Sequence, residues 1–163
     1  MKRKMIVAAL SVPALVLLVF VVGLLLPKQR EFVKEADIKS SPESVFQLVS
    51  DVERQVYWRN DLREIKVIDQ DTWTEIPKRG TPITFRIRQK IENKLFHIEI
   101  IEPKKFNGFW VGAFEKSPVG TKVVFKEVII MENPFLRVLS SIFFDLDKSM
   151  EAYMNNLKIK LEA

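Results

Sequence analysis

His97 is the only histidine of the chain, and cysteine is absent. Disulfides, thiol nucleophiles, Cys-ligated metals and His-rich metal sites are therefore excluded. A lone imidazole can still act as a base. His97, however, alternates with Phe96 and Ile98 in a strand pattern and shares a face with Glu99, which directs it toward solvent or an edge partner. Asp145 and Asp147 look like a carboxylate pair. On a helix, positions i and i+2 diverge by about 200°, so the two cannot hold one substrate and read as solvated charges. Glu127 stands apart because Phe125, Ile129 and Met131 surround it in sequence. Facing inward, its carboxyl would have a perturbed pKa and could move protons. The simpler alternative is a cross-strand pairing with Arg86 or Arg88. Tyr153 is the other ionisable group that inward proton chemistry could use. No Gly-rich phosphate loop, Ser-nucleophile motif or metal spacing is present, so no catalytic residue, metal or cofactor is assigned from motifs.

The elements that must position these groups follow from periodicity. Glu31 to Ile38 reads as a strand. Ser41 then suits a helix cap, Pro42 the first helical position and Glu43 the positive end of the helix dipole. Val45, Phe46, Leu48 and Val49 follow at helical spacing, and a second short helical stretch runs from Val52 to Trp58. From Leu62 the period changes to two. Segments 62–68, 72–76, 83–91, 96–100, 109–114 and 121–131 read as strands joined by turns at Asp69–Asp71, Pro77–Gly80, Asn93, Asn107-Gly108 and Ser117–Gly120. Ile83, Phe85, Ile87 and Ile91 face one way, and Thr84, Arg86, Arg88 and Lys90 the other. After Asn133-Pro134, one long helix is expected. Phe135, Leu139, Ile142, Leu146, Met150, Tyr153 and Leu157 repeat in steps of three or four and need a broad apolar surface such as a sheet.

Charge divides the chain at about residue 30. Residues 1–30 contain Lys2, Arg3, Lys4, Lys28 and Arg30 and no acid. With five of the 26 basic residues there and none of the 21 acidic ones, the remainder balances to zero, although the whole chain carries +5. A balanced domain lacks the basic footprint of a nucleic-acid binder, so none is expected as a partner. Met5 to Leu26 has no charged side chain. At about 1.5 Å per residue this stretch reaches roughly 33 Å as a helix, comparable with a hydrocarbon core of about 30 Å. Gly23-Leu24-Leu25-Leu26-Pro27 offers no good small-x-small site for cleavage as a signal peptide. We therefore expect 1–30 to be a single transmembrane anchor with basic flanks and 31–163 to be one domain. Lys2, Arg3 and Lys4 favour an N-terminus inside and a domain outside, in a bacterium beyond the cytoplasmic membrane.

Strand, two short helices, a run of antiparallel strands and a long C-terminal helix, in that order, resemble the START-like (SRPBCC) superfamily, which includes polyketide cyclase/dehydrase-like and lipid-transport domains. Ser41-Pro42, Glu43, Val45-Phe46, Asp51 and Trp58 match positions common in that superfamily, as does Gly80 ahead of the long strand. Arg59 departs from it, since many relatives have Pro there. A membrane helix ahead of such a domain is similar to a recurrent bacterial subgroup. The resemblance covers residues 31–163. It implies an α+β helix-grip fold, a curved antiparallel sheet wrapped around the C-terminal helix with an apolar cavity between them. Carried over, that cavity would be lined by Trp58, Phe85, Ile87, Phe96, Ile98, Trp110, Phe143, Leu146, Met150 and Tyr153, residues that could equally fill an ordinary core. The 12 Phe and 5 Met suit both. The resemblance implies a membrane-anchored domain that binds or shuttles a hydrophobic small molecule or lipid without chemistry. The alternatives are a cyclase-like enzyme, which needs Glu127 or Tyr153 in the cavity, and a protein-interaction module with a closed core.

Overall fold

The computed structural model describes residues 2–162, with side chains from residue 12 onward. Helix α1 (Lys2–Leu25) continues through Pro13. The anchor expected over Met5–Leu26 falls in part on residues 5–11, whose side chains lie outside the described residues. Among the described residues, no helix is long and apolar enough to cross a membrane.

Beyond α1 come β1 (Gln29–Ile38), α2 (Pro42–Ser50), a 3-10 turn (Val52–Tyr57), and the strands β2 (Leu62–Val67), β3 (Thr72–Pro77), β4 (Ile83–Ile91), β5 (Leu95–Glu102), β6 (Asn107–Ser117) and β7 (Gly120–Ile130). Helix α2 starts where its sequence dictates. Ser41 Oγ accepts the Ser44 amide at 3.3 Å, and Pro42 occupies the first turn, where its missing N–H costs nothing. The seven strands form one antiparallel sheet in the order β1-β7-β6-β5-β4-β3-β2. Six consecutive strands are hairpin neighbours, and β1 closes onto the last of them, with Phe32 opposite Glu127. Register shifts in β2 and β4 place an extra residue against the partner strand. Such irregularities bend a sheet, and this one is curved.

The concave side holds the core. Phe96, Phe125, Val123 and Leu157 are fully buried together with Val45 and Val49 of α2. Asn133 caps α3 (Pro134–Phe143) by accepting the Phe135 amide at 2.9 Å. Helix α4 (Leu146–Glu162) then delivers Met150, Met154 and Leu157 to the sheet cluster and Leu146 to Ile100 and Ile129. The single long helix expected from the sequence is therefore two helices. The chain breaks at Phe144, which is extended (φ −123, ψ 102). Asp145 restarts it by accepting the Lys148 amide at 3.2 Å. A side chain that caps a new helix competes with continuation of the old one.

Candidate functional site

Between the concave sheet and α4 lies a cavity of about 500 Å³, within the range of roughly 300–1,000 Å³ that small-molecule sites occupy. Its wall is aromatic. Trp110 sits 4.9 Å from Phe125 and 6.0 Å from Tyr153, while Trp73 stacks on Phe85 at 5.8 Å and on Phe96 at 6.4 Å, all between ring centroids. Trp110 fits because residue 112 is glycine. A Cβ there would stand 2.5 Å from the end of the indole ring.

Seven of the expected residues line this space: Phe85, Phe96, Ile98, Trp110, Leu146, Met150 and Tyr153. Three do not. Trp58 packs behind the wall, edge-on to Tyr153 at 5.2 Å, and Ile87 packs against the core. Phe143 is 73% exposed. It belongs to α3, and the break at Phe144 turns it away from the sheet.

A polar cluster interrupts the aromatic wall. Arg59, the departure from the superfamily pattern, reaches into the cavity and is held on four sides. It donates to both Asp61 oxygens at 3.2 and 2.8 Å and to Gln55 Oε1 at 2.8 Å. It pairs with Glu75 at 2.9 Å, and its guanidinium lies 5.2 Å from the Tyr153 ring centre. Burial alone would lower the Arg59 pKa, but Glu75 and the hydrogen bond to Asp61 more than reverse this and keep it charged. Burial likewise opposes ionisation of Asp61, but the Arg59 hydrogen bond and charge, with a backbone hydrogen bond and Lys78, together outweigh it, so the Asp61 pKa falls. Tyr153 is pushed up by burial, with Arg59 opposing, so its hydroxyl stays protonated.

Glu127 belongs to the inward row of β7 with Val123, Phe125 and Ile129, as its apolar neighbours in sequence require. The cross-strand pairing with Arg86 or Arg88 does not form. Both arginines project from the outer face and pair with Glu99 instead. Among the described residues, no group hydrogen-bonds the Glu127 carboxyl. Burial, reinforced by the nearby Glu75 charge and opposed by Arg59, raises its pKa to about 7. At neutral pH it exchanges between a neutral acid that can donate and an anion that can accept.

The remaining candidates lie outside the cavity. His97 is on the outer face, half-buried, with its ring 5.5 Å from Phe109. Burial and the adjacent Arg88 lower its pKa, against the pull of Glu99. Asp145 pairs with Lys148 and Asp147 with Lys34, so the two carboxylates hold different partners, although Asp145 caps α4 rather than standing within one helix with Asp147. No cluster of metal-ligating side chains occurs among the described residues. The roles of Gln55, Glu75 and Asp61 were not visible in the sequence, because their partner Arg59 meets Glu75 only through tertiary folding.

No family profile matches the chain, and no curated protein matches it in sequence. Solved structures do. A START superfamily protein from Mycobacterium smegmatis is similar at 11% identity, with a TM-score of 0.60 over 82% of this chain and 97% of that one. A norcoclaurine synthase from Thalictrum is similar at 7% identity, with a TM-score of 0.66 over 82% and 94%. The di-domain ARO/CYC BexL of the BE-7585A biosynthetic pathway is similar at 10% identity, with a TM-score of 0.66 over 83% of this chain and 51% of that one. Identities this low speak to architecture alone. Curved sheet, helix order and intervening cavity together establish that this chain has a START-like fold.

Proposed function

We propose that this protein is a membrane-anchored START-like domain that binds or shuttles a hydrophobic small molecule or lipid in its cavity without transforming it. One observation carries the reading: an aromatic-walled space of about 500 Å³ whose only carboxyl without a hydrogen-bond partner among the described residues is Glu127. An apolar body would fill the aromatic part, and a hydroxyl or carbonyl of the ligand would meet Glu127, which fixes its orientation. The uncharged stretch from Met5 to Leu26 and its basic flanks support an anchor, with the N-terminus inside the bacterial cytoplasmic membrane and the domain outside. Tethering raises the effective concentration of the domain at a bilayer source.

Native mass spectrometry of the full chain released from detergent, with lipid extraction of the same sample, tests this. One apolar molecule per chain is the expected result. A bare mass with no uptake from a lipid extract contradicts it.

A second reading has its own support. Glu127 and Tyr153 both line the cavity, which is what a cyclase-like enzyme would require. In that case Glu127→Gln abolishes turnover while ligand uptake persists. In the carrier reading, Glu127→Gln alters ligand affinity and there is no turnover to lose.

A further inference from the structure

Helix α3 is amphipathic with its faces reversed. Phe135, Leu139 and Ile142 form one stripe, widened by Phe143, and the last three are 54%, 66% and 73% exposed. On the side turned to the protein the most buried residue is Arg137, flanked by half-buried Leu136, Val138 and Ser140. Arg137 is only 5% exposed, and Ser140 and Ser141 border a crevice with Leu26, Pro27 and Met131. Both hydroxyls donate to carbonyls of their own helix, so they need no partner there. A helix on a water-facing surface normally presents the opposite arrangement, and an exposed apolar strip of this kind marks a contact surface.

The position of α3 says what it contacts. Its start is locked onto the end of α1. Phe135 lies 5.7 Å from Phe20, and a Cβ on Gly23 would stand 2.2 Å from the Pro134 oxygen. Arg137 Nη1 donates to the carbonyls of Gly23 and Leu26 at 3.0 and 3.3 Å, satisfying the last turn of α1. The stripe of α3 therefore begins against α1 at Phe20, and α1 is itself apolar and exposed at Leu17, Leu18 and Val21. No acidic residue occurs from Asn133 to Phe144. The next residue after the stripe, Phe144, is itself an exposed part of the cavity lining, as are Asn60, Lys78, Thr81 and Ser149. These exposed lining residues mark the mouth.

We propose that α3 is an in-plane membrane helix, whose apolar face docks into the interfacial layer of the bilayer and holds the cavity mouth at Phe144 against lipid. This rests on the anchored reading above. A helix of this kind lies about 5–10 Å into the headgroup and acyl boundary, so a ligand could pass between bilayer and cavity without crossing water. The occupant is lipid rather than a second protein, because the stripe starts against the apolar helix α1 and carries no charge that a protein partner would read.

The chain has no cysteine, so single labels are clean. Ile142→Cys carries an environment-sensitive fluorophore in the full chain, reconstituted into phosphatidylcholine vesicles. Ile159→Cys, on an exposed apolar residue of α4 away from α1, is the control. Emission at 142 is expected to shift to the blue and to be quenched by nitroxides placed shallow in the bilayer, more than by deep ones. Emission at 159 stays aqueous. An aqueous signal at 142 while the protein floats with the vesicles overturns the docking and leaves the anchor standing. A blue-shifted signal at 142 that lipid nitroxides do not quench assigns the face to another protein copy and overturns it as well. Failure to float with vesicles at all removes both the anchor and the docking.

Discussion

Helices α3 and α4 share one apolar repeat in sequence and do opposite things with it. In α4, Met150, Met154 and Leu157 are buried against the sheet, and Leu157 has no exposed surface. In α3, the same repeat faces outward and the buried member is Arg137. Periodicity therefore specifies that a helix has an apolar face, and the break at Phe144 decides what that face meets. The curved sheet covers α4 and frames the cavity. Nothing in the described protein covers the outward stripe of α3 at Leu139, Ile142 and Phe143.

The contrast is broken or sharpened by substitutions on each side. Leu157→Ala should have the largest effect, a loss of roughly 2–5 kcal/mol, because the cavity it leaves lies in a closely packed core. Denaturant unfolding of the full chain in a fixed detergent reads this. Glu127→Gln, across the cavity from Tyr153, should come next. A carboxyl whose folded pKa is raised contributes stability that is fully present below its ordinary value of 4.5 and is lost as the pH rises through about 7. Above pH 8 the wild type carries the full cost of an ionised buried carboxylate. The amide variant should then be more stable by on the order of 1–3 kcal/mol. The gap should shrink on acidification through pH 7 and close near pH 4.5, followed as melting temperature against pH. Gly112→Ala should cost about 1–3 kcal/mol through overpacking, because the Trp110 ring must move. It should also blue- or red-shift tryptophan emission and weaken ligand uptake. Smallest of all, Ile142→Ser on α3 should change unfolding in detergent by less than about 0.5 kcal/mol, as exposed positions do. A loss there comparable with Leu157→Ala would mean that α3 has a partner within the protein and would dissolve the contrast.

Much of this architecture is readable from residues. Alternation along 121–131 places the last strand and its inner row, including Glu127. Along 83–91 it holds only to Ile87, because the register shift between Ile87 and Gln89 turns Lys90 inward over Phe46 and Phe96 and leaves Ile91 42% exposed. Ser41-Pro42 places the start of α2. Two features escape such reading for physical reasons. The helix break at Phe144 is masked because Ile142, Leu146 and Met150 keep the helical step across it, while the competing signal is one capping carboxylate, Asp145. The Arg59 cluster is masked because Glu75 lies on a different strand. Arg59 precedes β2, and the pairing of β2 with β3 brings Glu75 to 2.9 Å from the guanidinium. Ile87 follows the alternation and Trp58 closes the 3-10 turn, and both still miss the cavity, since facing the concave side does not decide whether a side chain reaches open space or packs behind a neighbour.

The central claim is that the cavity itself holds the apolar ligand. Ile98 lines it, so Ile98→Trp fills it without touching the outer face or α3. Native mass spectrometry of the full chain, wild type and Ile98→Trp, after equilibration with the same lipid extract tests the claim most directly. The account predicts one bound apolar molecule on the wild type and none on the variant, with similar melting temperatures. Equal uptake by both proteins, or none by either, would contradict it.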